Sequence, residues 1–202
     1  MCMIIEIAIS LIIGYLLGTL SPAALFAKLK KVNLRKRGTG NLGAANTTIV
    51  LGKQYGVLVM VIDIGKAFLA CKLAELLFPQ LAVAGLLAGA ASVAGHVFPF
   101  YMKFKGGKGL AAFGGMILAY NPLMFLGLLT GGIVLIFIFN YGIAMPMSVS
   151  VLFPVLVAII SHDPAAVAIC VATSVLIIVK HWSIFGRIRR GEETRVRDFI
   201  RK

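Results

Sequence analysis

Gly95-His96-Val97-Phe98-Pro99-Phe100-Tyr101-Met102-Lys103-Phe104-Lys105-Gly106-Gly107-Lys108-Gly109 lies between two strongly apolar segments and crowds one His, three Lys and four Gly into a short span. Polarity of that density needs a reason in so apolar a chain. Glycine lets the backbone approach a ligand closely. Successive backbone N–H groups in a glycine-rich turn form an anion-binding concavity, and lysines add mobile positive charge. One reading is a phosphate cradle at a membrane surface. The other is a basic turn that anchors a helix hairpin on the cytoplasmic side.

The 202 residues are 60% hydrophobic and 13% charged, with a mean hydropathy of +0.99. A soluble domain is about a quarter charged, so the expected class is an all-α polytopic membrane helix bundle, residues 1–202 forming one integral-membrane domain. The net charge of +13 does not point to nucleic acid. The basic residues fall in a few clusters between apolar runs, as the positive-inside rule expects. Cys2, Cys71 and Cys170 show no metal or redox spacing, and no metal or cofactor is expected. Positive charge follows the first apolar run instead of preceding it, which reads as a retained anchor and not a cleaved signal peptide.

Outward from the quoted stretch, the apolar runs are about 3–27, 55–78, 81–98, 110–120, 123–139, 143–160 and 165–179. A crossing helix needs roughly twenty residues. The fourth run is short, and six crossings plus a re-entrant piece is the alternative to seven. Seven crossings put the basic loop 28–53, the Lys-Gly loop and the basic tail on one side. Every Lys and Arg then lies there except Lys66 and Lys72, inside the second run. This segregation predicts an outside N-terminus and a cytoplasmic C-terminus. Asp63 and Lys66 are three apart, on one helix face, as are Lys72 and Glu75. Intramembrane charges normally face a bundle interior or a wet cavity. The second pair reads as structural, and the first as possible support for the site.

Gly38-Thr39-Gly40-Asn41-Leu42-Gly43 matches G-x-G-x-x-G, but no strand precedes it and no βαβ unit can form. What survives is a polar, backbone-exposing turn, with Asn46 close by, on the side of the Lys-Gly loop. Lys105-Gly106-Gly107-Lys108-Gly109 lacks the spacing of a P-loop. There is no G-x-S-x-G elbow, and no Asp follows His96 at the fifth position. An enzyme built on these loops would hold phosphates and orient reactants without a protein nucleophile.

Gly38-Thr39-Gly40-Asn41-Leu42-Gly43-Ala44-Ala45-Asn46 resembles the G-S-G-N-x-G-A-T-N signature of the bacterial acyl-phosphate:glycerol-3-phosphate acyltransferases, the PlsY type. The Gly95–Pro99 and Lys103–Gly109 segments are similar to that family's second signature almost residue for residue. Leu51-Gly52-Lys53, Tyr55-Gly56, Asp63, Lys66, Lys180-His181 and Arg190-Gly191-Glu192-Glu193 also fit, so the resemblance covers nearly the whole chain. It implies a seven-helix protein of the bacterial inner membrane with its site at the cytoplasmic face. It further implies acyl phosphate as donor, glycerol 3-phosphate as acceptor and lysophosphatidic acid as product. Thr39, Lys108 and His181 would be catalytic. Gly38, Gly40, Asn41, Gly43, Asn46, His96, Lys105, Gly106, Gly107 and Gly109 would bind substrate.

Departures from the pattern cluster. Ile49, Ile143 and Ile184 stand where the family has Arg, Ser and Asn as polar contacts to glycerol 3-phosphate, so activity on that acceptor is expected to be poor or absent. A paralogue with another acceptor stays open. So does a non-catalytic membrane protein that binds acyl phosphate or lipid head groups, or serves as a subunit of another membrane complex. A transporter is the weakest reading, resting on broken helices and intramembrane charge.

Overall fold

The computed structural model describes residues 2–200, and side chains through residue 198. Met1, Arg201 and Lys202, the ends of the single domain expected, lie outside the described residues. Every regular element among them is helical: α1 (Met3–Thr19), α2 (Pro22–Leu29), α3 (Ala44–Leu51), α4 (Lys53–Leu77), α5 (Ala84–Val97), α6 (Leu110–Tyr120), α7 (Pro122–Phe139), α8 (Ala144–Ser161), α9 (Pro164–Arg189) and α10 (Val196–Ile200). Five stretches are long and apolar enough to cross a membrane, namely Met3–Leu29, Ala84–Met102, Pro122–Phe139, Ala144–Ser161 and Pro164–Arg189. The chain divides into two compact units, one ending at Tyr120 and the other beginning at Asn121.

In the first unit the first apolar run is not one helix. It breaks at Leu20, and α2 restarts with Ser21 accepting a hydrogen bond from the Ala24 amide (3.3 Å) and Pro22 in the first turn. Both residue types favour a helix start. α1 packs on α5 at backbone contact, because Gly14 and Gly18 face Ala88 and Ser92 with no side chain between. Helices in lipid associate through such small residues, since apolar surface alone gives them no drive to separate from lipid tails. α4 packs on both α5 and α6, where Gly115 meets the Ile64 carbonyl. α3, read as loop from the sequence, lies along α4, with Thr48 against Gly56.

In the second unit α7 packs on α8, and α8 on α9. Asn121 and Asp163 cap α7 and α9, accepting from the Met124 and Ala165 amides (both 2.9 Å), with Pro122 and Pro164 next in line. α9 continues about ten residues past the apolar run at Val179, through Lys180 and His181 to Arg189. Arg187 and Arg189 in its last turn suit the negative end of the helix dipole. Ile4, Leu76, Leu123, Ile138, Ile160 and Val179 point outward, the apolar exterior that a bilayer accepts.

Candidate active site

The first glycine loop is built around one side chain. Asn46, buried at the start of α3, accepts the Thr39 amide through Oδ1 (2.7 Å). Its Nδ2 donates to the carbonyls of Leu34 (3.0 Å) and Asn41 (2.9 Å). Expected to contact substrate, Asn46 instead has its carboxamide committed to the loop itself. Gly38 takes a left-handed φ of 57° directly against Asn46 Oδ1, where a side chain would collide. Thr39 is exposed and Asn41 half-buried.

The second loop closes the end of α5. After Val97 a short 3-10 turn (Phe100–Met102) leads to Lys103 and Phe104, both left-handed at φ 53° and 56°. The chain doubles back, and the amides of Gly106 and Gly107 donate to the carbonyls of Val97 (2.9 Å) and His96 (3.1 Å). Tyr15 Oη donates to the Phe98 carbonyl (2.8 Å), and Tyr101 Oη to the Thr19 carbonyl (2.6 Å). These bonds satisfy carbonyls that a helix end leaves unpaired, a need that is acute inside a membrane. Two amides expected to face an anion are therefore turned inward. The first turn of α6 follows directly: Gly109 (φ 88°) accepts the Phe113 amide at 2.8 Å. The amides of Leu110, Ala111 and Ala112 then precede any intrahelical acceptor, an arrangement suited to a phosphate. Lys108, half-buried, stands at this entrance, with Lys105 exposed beside it.

The two loops meet. The Arg35 guanidinium donates to the Lys105 carbonyl, 70 residues away. Gly107 fits so closely that a side chain there would strike the Leu42 carbonyl and His96 Nε2. Below them lies a buried cluster of Asp63, Lys66 and His96, with Lys66 Nζ 2.7 Å from Asp63 Oδ1 and 3.0 Å from His96 Nδ1. The three-residue spacing of Asp63 and Lys66 is visible in the sequence; their link to His96 is not, because it joins α4 to α5. Arg35 gave no signal either, being one of several basic residues in its loop.

His181 belongs to the second unit. It is buried, and its Nδ1 lies 2.8 Å from the Ile177 carbonyl oxygen of the previous helical turn. Of the three isoleucines, Ile49 is exposed on α3, while Ile143 and Ile184 are buried. At the end of α9, Arg187 pairs with Glu193 and Arg190 with Glu192, each at 2.8 Å.

Residues 8–191 match the family model for glycerol-3-phosphate acyltransferase. The chain belongs to this family. The curated glycerol-3-phosphate acyltransferase of Coxiella burnetii is 37% identical over 193 residues, covering 94% of this chain and 97% of that one. That of Bacillus velezensis is 32% identical over 194 residues, covering 96% and 99%. The crystal structure of PlsY (YgiH), an integral membrane glycerol 3-phosphate acyltransferase, in its glycerol 3-phosphate form, superposes with a TM-score of 0.87 at 32% identity over 94% of each chain. Its lysophosphatidic acid form gives 0.84 at 30% identity. The family assigned from the two glycine motifs is thus the family found. The all-helical membrane class holds as well.

Proposed function

We propose that this protein transfers a fatty acyl group from acyl phosphate to glycerol 3-phosphate, giving lysophosphatidic acid for membrane phospholipid synthesis. Residues 1–202 act as one domain that crosses the bacterial inner membrane seven times, with the site at the cytoplasmic face. The observation that carries the reading is the junction of the two glycine loops, where Arg35 and Leu42 meet Lys105 and Gly107. Two segments far apart in sequence thereby bring basic side chains and a helix N-terminus to one place, which suits a substrate with a phosphate at its reacting end.

An acyl phosphate is a mixed anhydride with an activated carbonyl. The acceptor hydroxyl oxygen attacks that carbon, the bond from carbon to the phosphate oxygen breaks, and the electron pair leaves with the phosphate. The hydroxyl proton goes to a phosphate oxygen, so no protein nucleophile or resident cofactor enters. Lys108 and the first-turn amides of α6 stabilise the departing phosphate, with Lys105 adding charge at the rim. The family resemblance implies catalytic roles for Thr39 and Lys108 in the first unit and for His181 in the second. Gly38, Gly40, Asn41, Gly43, Gly106, Gly107 and Gly109 shape the binding surface, and Asn46 and His96 hold it in place.

Purified protein in detergent or bilayers, given palmitoyl phosphate with and without glycerol 3-phosphate, tests the reading. Acceptor-dependent release of inorganic phosphate with matching formation of lysophosphatidic acid is expected. Release that no member of an acceptor panel stimulates would overturn it in favour of a donor-binding protein.

A further inference from the structure

The acyl-transfer reading gives His96 the task of holding the loop and leaves Asp63 and Lys66, buried against it, without one. Lys66 Nζ lies 2.7 Å from Asp63 Oδ1, 2.6 Å from the Leu20 carbonyl oxygen and 3.0 Å from His96 Nδ1. Of the ammonium's three hydrogens, the Leu20 carbonyl and His96 Nδ1 can take two, while Asp63 Oδ1 balances the charge at ion-pair distance without accepting a hydrogen bond. Asp63 Oδ1 is also 3.2 Å from His96 Nδ1. The Nδ1 edge of His96 is thus held between the Lys66 ammonium and the Asp63 carboxylate, which restrains the ring. The opposite edge, Nε2, abuts Gly107, and the His96 carbonyl accepts the Gly107 amide at 3.1 Å. One residue therefore grips Gly107 from two sides, by its ring and by its backbone.

Stability alone is a poor account of such a cluster. Both charges are almost sealed from solvent, and replacing a buried ion pair with neutral groups of similar size is often neutral or stabilising. The same helix supplies a contrast. Lys72 and Glu75 also pair at 2.7 Å, but they are half-exposed and lie against Phe68 and Gly85, away from the loop.

We infer that Asp63, Lys66 and His96 are positioning residues that hold Gly107, and with it Lys108 and the start of α6, in register for the donor's phosphate. This rests on the reading of that loop as the donor site. The three residues act through the backbone of Gly107 and not on the reacting atoms.

The test uses the full-length protein and a methylene-bridged palmitoyl phosphonate, which cannot release its acyl chain. Three proteins are titrated: wild type, the charge-free Asp63→Asn/Lys66→Met, and Lys72→Met/Glu75→Gln. The charge-free variant is expected to keep a cooperative melting transition, lowered no more than loss of the Leu20 carbonyl's partner accounts for, while its Kd for the phosphonate rises at least about tenfold. Its KM for acyl phosphate rises in step, and its KM for glycerol 3-phosphate stays within about twofold. Lys72→Met/Glu75→Gln binds as wild type does. His96→Gln, whose amide reaches toward the Nε2 position, keeps more affinity than His96→Ala. Wild-type Kd in a stable charge-free variant overturns the inference, as does an equal rise in both KM values. Should that variant fail to fold, equal affinities of His96→Gln and His96→Ala overturn it instead. A wild type that does not bind the phosphonate is a different outcome, and overturns the donor site itself together with this inference.

Discussion

Asn46 shows how much one carboxamide can organise. Asn46→Leu strands the Thr39 amide and two carbonyls in a buried place, and each stranded group costs about 1–3 kcal/mol. The expected outcome is a clear drop in melting temperature with acyl transfer abolished, read by thermal unfolding and by product formation. Asn46→Asp is no remedy, since it keeps the acceptor for Thr39 but turns an anion toward the carbonyls of Leu34 and Asn41. Lys108→Ala belongs to the same scale. It weakens binding of the palmitoyl phosphonate by about 1.5–3 kcal/mol, the worth of a hydrogen bond to a charged group, and leaves the melting temperature near wild type. Ile49, Ile143 and Ile184 make a third case. The resemblance puts each at a polar acceptor position of the family, and apolar side chains cannot replace charge-assisted bonds to a phosphate, so wild-type KM for glycerol 3-phosphate is expected to be high. Ile49→Arg/Ile143→Ser/Ile184→Asn lowers it at least about tenfold, by steady-state kinetics. An unchanged KM would mean that other groups hold the acceptor. At this scale the sequence marked Asn46 and the loop glycines through their motif. It did not show that Asn46, Gly106 and Gly107 bond inward, because a motif records which residues occur and not where their polar atoms point.

Among the elements, the α1–α5 crossing is the most exacting contact. Gly18 lies against the backbone of Ser92, and Gly95 against the Tyr15 carbonyl. Backbone cannot yield as a flexible side chain can, so Gly18→Leu must push the helices apart. Overpacking of this kind costs about 1–3 kcal/mol or more. It also shifts the end of α5, which carries His96 and the carbonyls that hold Gly106 and Gly107. Gly18→Leu is therefore expected to lower both melting temperature and donor affinity. Gly127→Leu, on an open part of α7, is expected to change neither. The sequence showed the long apolar runs well, and α7 and α8 begin and end within about a residue or two of them. It missed the break at Leu20, although Ser21-Pro22 is a helix-start pair, because the run stays apolar across it. It also missed the extension of α9, because Lys and Arg close an apolar run without ending a helix.

For the whole molecule, the one-sided placement of Lys and Arg sets the expected orientation. A reporter that works only in the cytoplasm, fused after Lys202, is active, and one that works only outside is silent. The opposite result would put the Lys-Gly loop on the wrong face for a cytoplasmic substrate. The helix break at Leu20 carries a consequence for biogenesis. Its carbonyl oxygen is taken by Lys66, which the ribosome makes 46 residues later. Without α4, a first segment placed in lipid would carry an unmet acceptor, and α4 alone would carry a lysine and a carboxylate that lipid tolerates badly. Neither segment is a comfortable passenger alone, and each supplies what the other lacks. The expected outcome is that a chain cut before α4 holds its first segment in the membrane less firmly than one cut after it, read by carbonate extraction.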